Sequence, residues 1–131
     1  MKTRTFKLNK LVRDKIVELN IGYGGTVNYK TLSGDKLTAA LLKKLVEEAN
    51  ELRTSNLSVG ELADLQELID VLAKHLGTKK GELSKRQQEK RSQNGSFEKG
   101  HFIDTLTLPA NNKWVKYYAA DPQRFPEIKN E

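Results

Sequence analysis

The sequence contains no cysteine. Disulfides, zinc held by thiolates and a cysteine nucleophile are therefore all excluded. This absence is compatible with a reducing compartment, and a cytoplasmic location is expected. Histidine occurs only twice, as His75 and His101. Neither has a second histidine at ligand spacing, so both are read as structural. His75 falls near the end of its helix, where a cation is favoured. No apolar run approaches the roughly 18 residues that a membrane span needs. The first residues are charged and lack the apolar stretch of a secretion signal. No membrane partner is expected, and no internal repeat or low-complexity tract is visible.

What is present fits one mainly α domain over residues 1–131, with a helical core over about 10–95 and an extension over about 97–131. A chain of 131 residues can bury roughly two-thirds of its unfolded surface. With 37% hydrophobic residues and a mean hydropathy of −0.66, the core is modest, and a partner subunit is expected to complete part of it. Net charge is +6, yet the most regular segment is acidic. The positive charge lies elsewhere, an asymmetry that suits a polyanionic partner.

The organising stretch is Glu47 to Asp70, EEANELRTSNLSVGELADLQELID. It holds two acidic pairs, Glu48-x-x-Glu51 and Glu61-x-x-Asp64, each inside an apolar helical pattern. Residues three apart on a helix are neighbours, and like charges placed so repel by roughly 0.2–0.5 kcal/mol. TSNLS between the pairs reads as a turn centred near Asn56. If two antiparallel helices flank that turn, Glu48 faces Asp64 and Glu51 faces Glu61. Glu67 and Asp70 then fall opposite Leu45 and Leu42, away from the cluster. Four uncompensated anions are costly, so a cation should sit among them. Hard oxygen donors without sulfur suit Mg²⁺, with Mn²⁺ as substitute. Ser58-x-x-Glu61 also matches a capping box, so an ordinary capping role for Glu61 is the alternative.

Along the chain, residues 1–9 are basic and extended. Lys10 to Asn20 has the spacing of a short amphipathic helix, and Gly22, Gly24 and Gly25 end it. Thr26 to Leu32 reads as β-favouring or as loop. A long helix starts near Gly34, with Ser33 as N-cap, and ends between Arg53 and Ser55. Its apolar stripe is Leu37, Ala40, Leu41, Leu45, Ala49 and Leu52. The next helix starts at Ser58, carries Leu62, Leu65, Ile69, Leu72 and Leu76 as its core face, and stops at Gly77. Lys80 to Gln93 is a polar helix, ended by Asn94-Gly95. His101 to Leu108 alternates and predicts a short strand. Trp114, Val115, Tyr117 and Tyr118 form an aromatic patch, placed either on the bundle or on a second subunit.

With these residues in hand, the chain resembles the all-α nucleoside triphosphate pyrophosphatase superfamily, which includes MazG-type enzymes and phosphoribosyl-ATP pyrophosphohydrolase. That group's signature, E-x-x-E, a spacer and E-x-x-D, matches Glu48, Glu51, Glu61 and Asp64. KLVRDKI at Lys10–Ile16 resembles the N-terminal block of a MazG-like subfamily. ELADLQELID at Glu61–Asp70 resembles its metal helix, and NGSFEKG at Asn94–Gly100 its Gly-x-Phe segment. Together these cover about residues 10–108. Val17 and Ser96 depart from that pattern, standing where the subfamily usually has proline and often glycine.

The resemblance implies a MazG-like helical bundle completed by dimerisation, with a short β or irregular C-terminal extension. It implies a homodimer or higher oligomer and Mg-dependent hydrolysis of a nucleoside triphosphate between the α and β phosphates. Glu48, Glu51, Glu61 and Asp64 would hold the metal and carry the catalysis. Arg13 and Lys15, or Lys90 and Arg91, would hold the phosphates, their alternative being solvated charge. Asn94 is a candidate to read a base edge. Phe97 either stacks on the base or fills the core, and the core reading is preferred. A role in cleaning the nucleotide pool is expected. The alternatives are phosphoribosyl-ATP as substrate, in histidine synthesis, an acidic hairpin that serves only dimerisation, and a non-enzymatic basic helical protein that binds nucleic acid through Lys79 to Arg91. Nucleic acid is the less expected partner, because four acids would repel it.

Overall fold

The computed structural model describes residues 2–55 and 57–129. It contains α1 (Ile16–Gly22), α2 (Gly34–Thr54), α3 (Val59–His75), α4 (Glu82–Asn94) and α5 (Val115–Ala119), with no strand among the described residues. The protein is mainly helical, as expected. Two compact units are resolved, Met1–Lys90 and Arg91–Glu131.

In the first unit α2 packs on α3. Helix α3 is bounded by residues suited to the task. The Ser58 hydroxyl accepts the Glu61 N–H at 3.3 Å. At the other end the Gly77 N–H donates to the Lys74 carbonyl and the Thr78 N–H to the Ala73 carbonyl, both at 3.0 Å. Those paired bonds need a left-handed residue, and Gly77 supplies it at φ +80°,. Helix α2 keeps the expected bounds, although Ser33, extended as a cap should be, makes no side-chain capping bond. The expected turn centre, Asn56, lies outside the described residues. Beside it Leu57 takes a φ of +48°.

The pair is antiparallel, because the end of α3 touches the start of α2. The imidazole Nε2 of His75 lies 2.8 Å from the Thr38 hydroxyl and 3.2 Å from the Gly34 carbonyl oxygen. This contact falls within one residue of the register in which Glu48 opposes Asp64. It gives His75 the structural place expected of it.

The core of this unit is thin. Leu41 is the one buried hydrophobic residue among those described, and Leu37, Ala40, Leu45 and Leu52 are half-buried beside it. Ala49 is exposed. On α3 the half-buried stripe is Leu65, Leu68, Leu72 and His75. Leu62, Ile69 and Leu76, expected in the core, are exposed at 54%, 39% and 65%. The reason is geometric: one helix covers one stripe of its neighbour, and these three, spaced by seven, form a second line on another side. Leu42 and Val46 of α2 are exposed too.

Helix α1 starts six residues later than the pattern from Lys10 suggests. Lys10, Arg13 and Lys15 would crowd positive charge at a helix N-terminus, which the helix dipole disfavours. Instead the Arg13 carbonyl accepts the Ile16 N–H at 3.0 Å, and the chain before it is irregular. Thr26 to Leu32 is irregular as well. Helix α4 matches expectation in being polar. Its Glu82 carboxylate accepts the Lys79 N–H at 2.9 Å, and Arg86 pairs with Glu89 at 2.8 Å. It ends where Gly95, at φ +82°, donates its N–H to the Arg91 carbonyl at 2.8 Å.

In the second unit the expected strand at His101–Leu108 is absent; the segment is irregular and mostly exposed. Alternation alone does not make a strand, since the backbone needs a neighbouring strand for its N–H and C=O groups, and none forms. The aromatic patch packs on itself. Tyr117 meets Trp114 at 5.8 Å between ring centroids, and Tyr118 meets Phe125 edge-on at 5.0 Å. Such pairs contribute about 0.5–1.5 kcal/mol beyond area burial. They are carried by α5, a helix the pattern did not announce. Asn112 starts it by accepting the Trp114 N–H on its side-chain oxygen at 2.9 Å.

Candidate metal and phosphate site

Glu48 is a charged side chain in the thin core, 7% exposed. Burying an unpaired carboxylate is costly, and Lys44, one turn earlier on α2, answers it with Nζ 3.2 Å from Oε1. Lys44 also lies 3.7 Å from Glu47. The role of Lys44 is not announced by the acidic signature, but its spacing of four residues from Glu48 is the readable signal.

Asp64 stands on α3. Its carboxylate accepts a hydrogen bond from the Arg13 guanidinium at 2.5 Å, with both side chains substantially exposed. The Asp64 hydrogen bond and charge, then the charges of Glu67 and Glu48, push the Arg13 guanidinium above its ordinary value. One cationic group thus feels carboxylates from both helices. Glu67, expected to lie away from the cluster, is part of this field. It follows Asp64 by three residues on a helix and shares its side.

Glu61 behaves differently. Its N–H takes the Ser58 cap, but its carboxylate does not return to Ser58 to close the capping box. It accepts instead from the Ser55 hydroxyl at 2.5 Å. The capping alternative for Glu61 is therefore half right: the backbone caps and the carboxylate points back to the end of α2. The Glu51 side chain is exposed on the last turns of α2. Glu48 and Asp64 are thus linked through Arg13, while Glu51 and Glu61 stand apart from that ion pair. Among the described residues no group of three or more histidine or acidic side chains is placed to hold a metal ion. The donor chemistry is nonetheless that of a hard-cation site. All four candidates offer carboxylate oxygen, and the one buried member is among them.

The phosphate-binding candidates divide between the units. Arg13 is at the acids, and Lys15 is exposed at the N-cap of α1. Lys90 is exposed on α4 at the end of the first unit. In the second unit Arg91 pairs with Glu98 at 3.3 Å, and Asn94 is the exposed last residue of α4. Phe97 is 99% exposed, which overturns the preferred reading that it fills the core. The Gly-rich turn around it, in which the Gly100 N–H meets the Phe97 carbonyl at 3.1 Å, holds the ring out in solvent.

Among the described residues no helix is long and apolar enough to cross a membrane. No protein-family model, no curated protein and no solved structure matches the chain.

Proposed function

We propose that the protein is a Mg²⁺-dependent nucleoside triphosphate pyrophosphohydrolase, cleaving between the α and β phosphates to release a monophosphate and pyrophosphate. The observation that carries the reading is Glu48, a carboxylate buried in a core that otherwise buries one leucine, aligned with Asp64 of α3 about the single guanidinium of Arg13. A fold this sparing with its core has no structural need for a carboxylate there. Glu51 and Glu61 complete the donor set after side-chain rotation, which their position near the α2–α3 turn permits. A bound Mg²⁺ would offset phosphate charge and lower the pKa of a bound water. The chain's own cations, Arg13 and Lys15 foremost, would orient the phosphate chain. The resemblance of KLVRDKI, ELADLQELID and NGSFEKG to the MazG-like group supports the same substrate class.

A homodimer belongs to this reading. Leu62, Ile69 and Leu76 on α3, with Leu42 and Val46 on α2, remain exposed, and apolar lines of this kind are ordinarily covered by a second subunit in helical bundles. Phosphorus NMR of a nucleoside triphosphate incubated with protein and Mg²⁺ tests the proposal. Monophosphate and pyrophosphate signals support it. Diphosphate and inorganic phosphate would replace it with a different hydrolase.

A further inference from the structure

We propose that Arg13 is a two-position residue: it occupies Asp64 as a resident counter-cation while the site lacks metal, and leaves it for the substrate's phosphate chain once a divalent ion arrives. The inference rests on the pyrophosphohydrolase reading and adds to it a competition between a side chain and the metal.

Three observations carry it. Arg13 lies in the irregular segment before α1, so no helix fixes its direction. Its bond to Asp64 joins residues 51 apart in the chain, at 2.5 Å, while both side chains stay open to water, at 59% and 40% exposure. It therefore holds one of the donors that a metal would need. An exposed ion pair stabilises little, so a divalent cation can displace it. A guanidinium released beside a metal-bound phosphate chain then has a planar, bidentate partner of the kind it binds best. Glu48 and Glu67 keep Arg13 near the acids in the first position. In the second, the phosphate oxygens take over that task.

Removing Arg13 must then have opposite effects on two ligands, which a merely structural arginine would not produce. The probes are Mn²⁺ alone and inorganic tripolyphosphate in the presence of Mn²⁺, titrated calorimetrically into the full chain. Arg13→Gln is expected to bind Mn²⁺ about 2- to 5-fold more tightly than wild type, because an exposed competitor has gone. It should bind tripolyphosphate about tenfold more weakly, because a charged hydrogen bond has gone. Arg13→Lys keeps the charge without the planar fork, and should fall between the two on both axes. In wild type, Mn²⁺ alone should speed amide exchange at residues 10–15, and tripolyphosphate should slow it again. Equal Mn²⁺ affinity in wild type and Arg13→Gln overturns the two-position role while leaving the metal site standing. No Mn²⁺ binding by either protein overturns the metal reading itself and this inference with it.

Discussion

The guanidinium of Arg13 donates to the carboxylate of Asp64 at 2.5 Å, bridging 51 positions of sequence. It draws the irregular segment before α1 onto the α2–α3 pair, and it does so with one charge at a place where the chain has gathered several of the opposite sign. Much of what the protein is proposed to do follows from that imbalance.

Lys44 is the second cation in the balance. Its ammonium meets the buried Glu48 at 3.2 Å, so Lys44→Met should leave that carboxylate inside without a partner. The loss expected is about 1–3 kcal/mol, smaller than for a fully buried pair because some water reaches the site. Urea denaturation measures it, and added Mg²⁺ should recover part of the loss by replacing the missing charge.

The far end of the helix pair is joined by His75 and Thr38. Thr38→Val preserves shape and removes the hydroxyl. A destabilisation of about 0.5–1.5 kcal/mol is expected, together with faster amide exchange in the first turns of α2. Exchange at the Ser55 end should be unaffected.

Leu57 sits at φ +48° and is 70% exposed, a poor position for a leucine because its Cβ crowds the backbone there. Asparagine tolerates the left-handed region far better. Leu57→Asn should raise stability by about 0.5–1 kcal/mol, read as a higher denaturation midpoint with an unchanged slope.

The line Leu62, Ile69 and Leu76 tests the assembly. Ile69→Glu places a charge in the middle of it. Light scattering should report a dimer or larger species for wild type and a monomer for the variant, and melting should lose its dependence on protein concentration. An unchanged mass would remove this face from the account.

How far the sequence could be read depended on whether the signal was local. The limits of α2 and α3 were legible because Ser58, Gly77 and the apolar spacing act within a few residues of themselves. So was the register, since a tight turn fixes which residues oppose. His101–Leu108 was misread because pairing, not alternation, makes a strand. The start of α1 was placed too early because the apolar spacing was weighed without the positive charge of Lys10, Arg13 and Lys15. Leu62 and Ile69 were assigned to the core because two apolar lines on α3 look like one in sequence. At the site, the acidic signature pointed to Glu48 and Asp64 but not to Glu67 or Lys44, whose parts depend on where Arg13 lands. Phe97 shows the same limit, since an aromatic residue in a Gly-rich turn gives no local sign of being exposed.

The most direct measurement of the central claim is pyrophosphate release from a panel of standard and modified nucleoside triphosphates, comparing wild type with Glu48→Gln. The account predicts turnover of at least one nucleotide by wild type with Mg²⁺, abolished by a chelator. It predicts a loss of about 100-fold or more in Glu48→Gln with an unchanged helical circular-dichroism spectrum. No turnover of any nucleotide by wild type, or equal turnover by the two proteins, would contradict it.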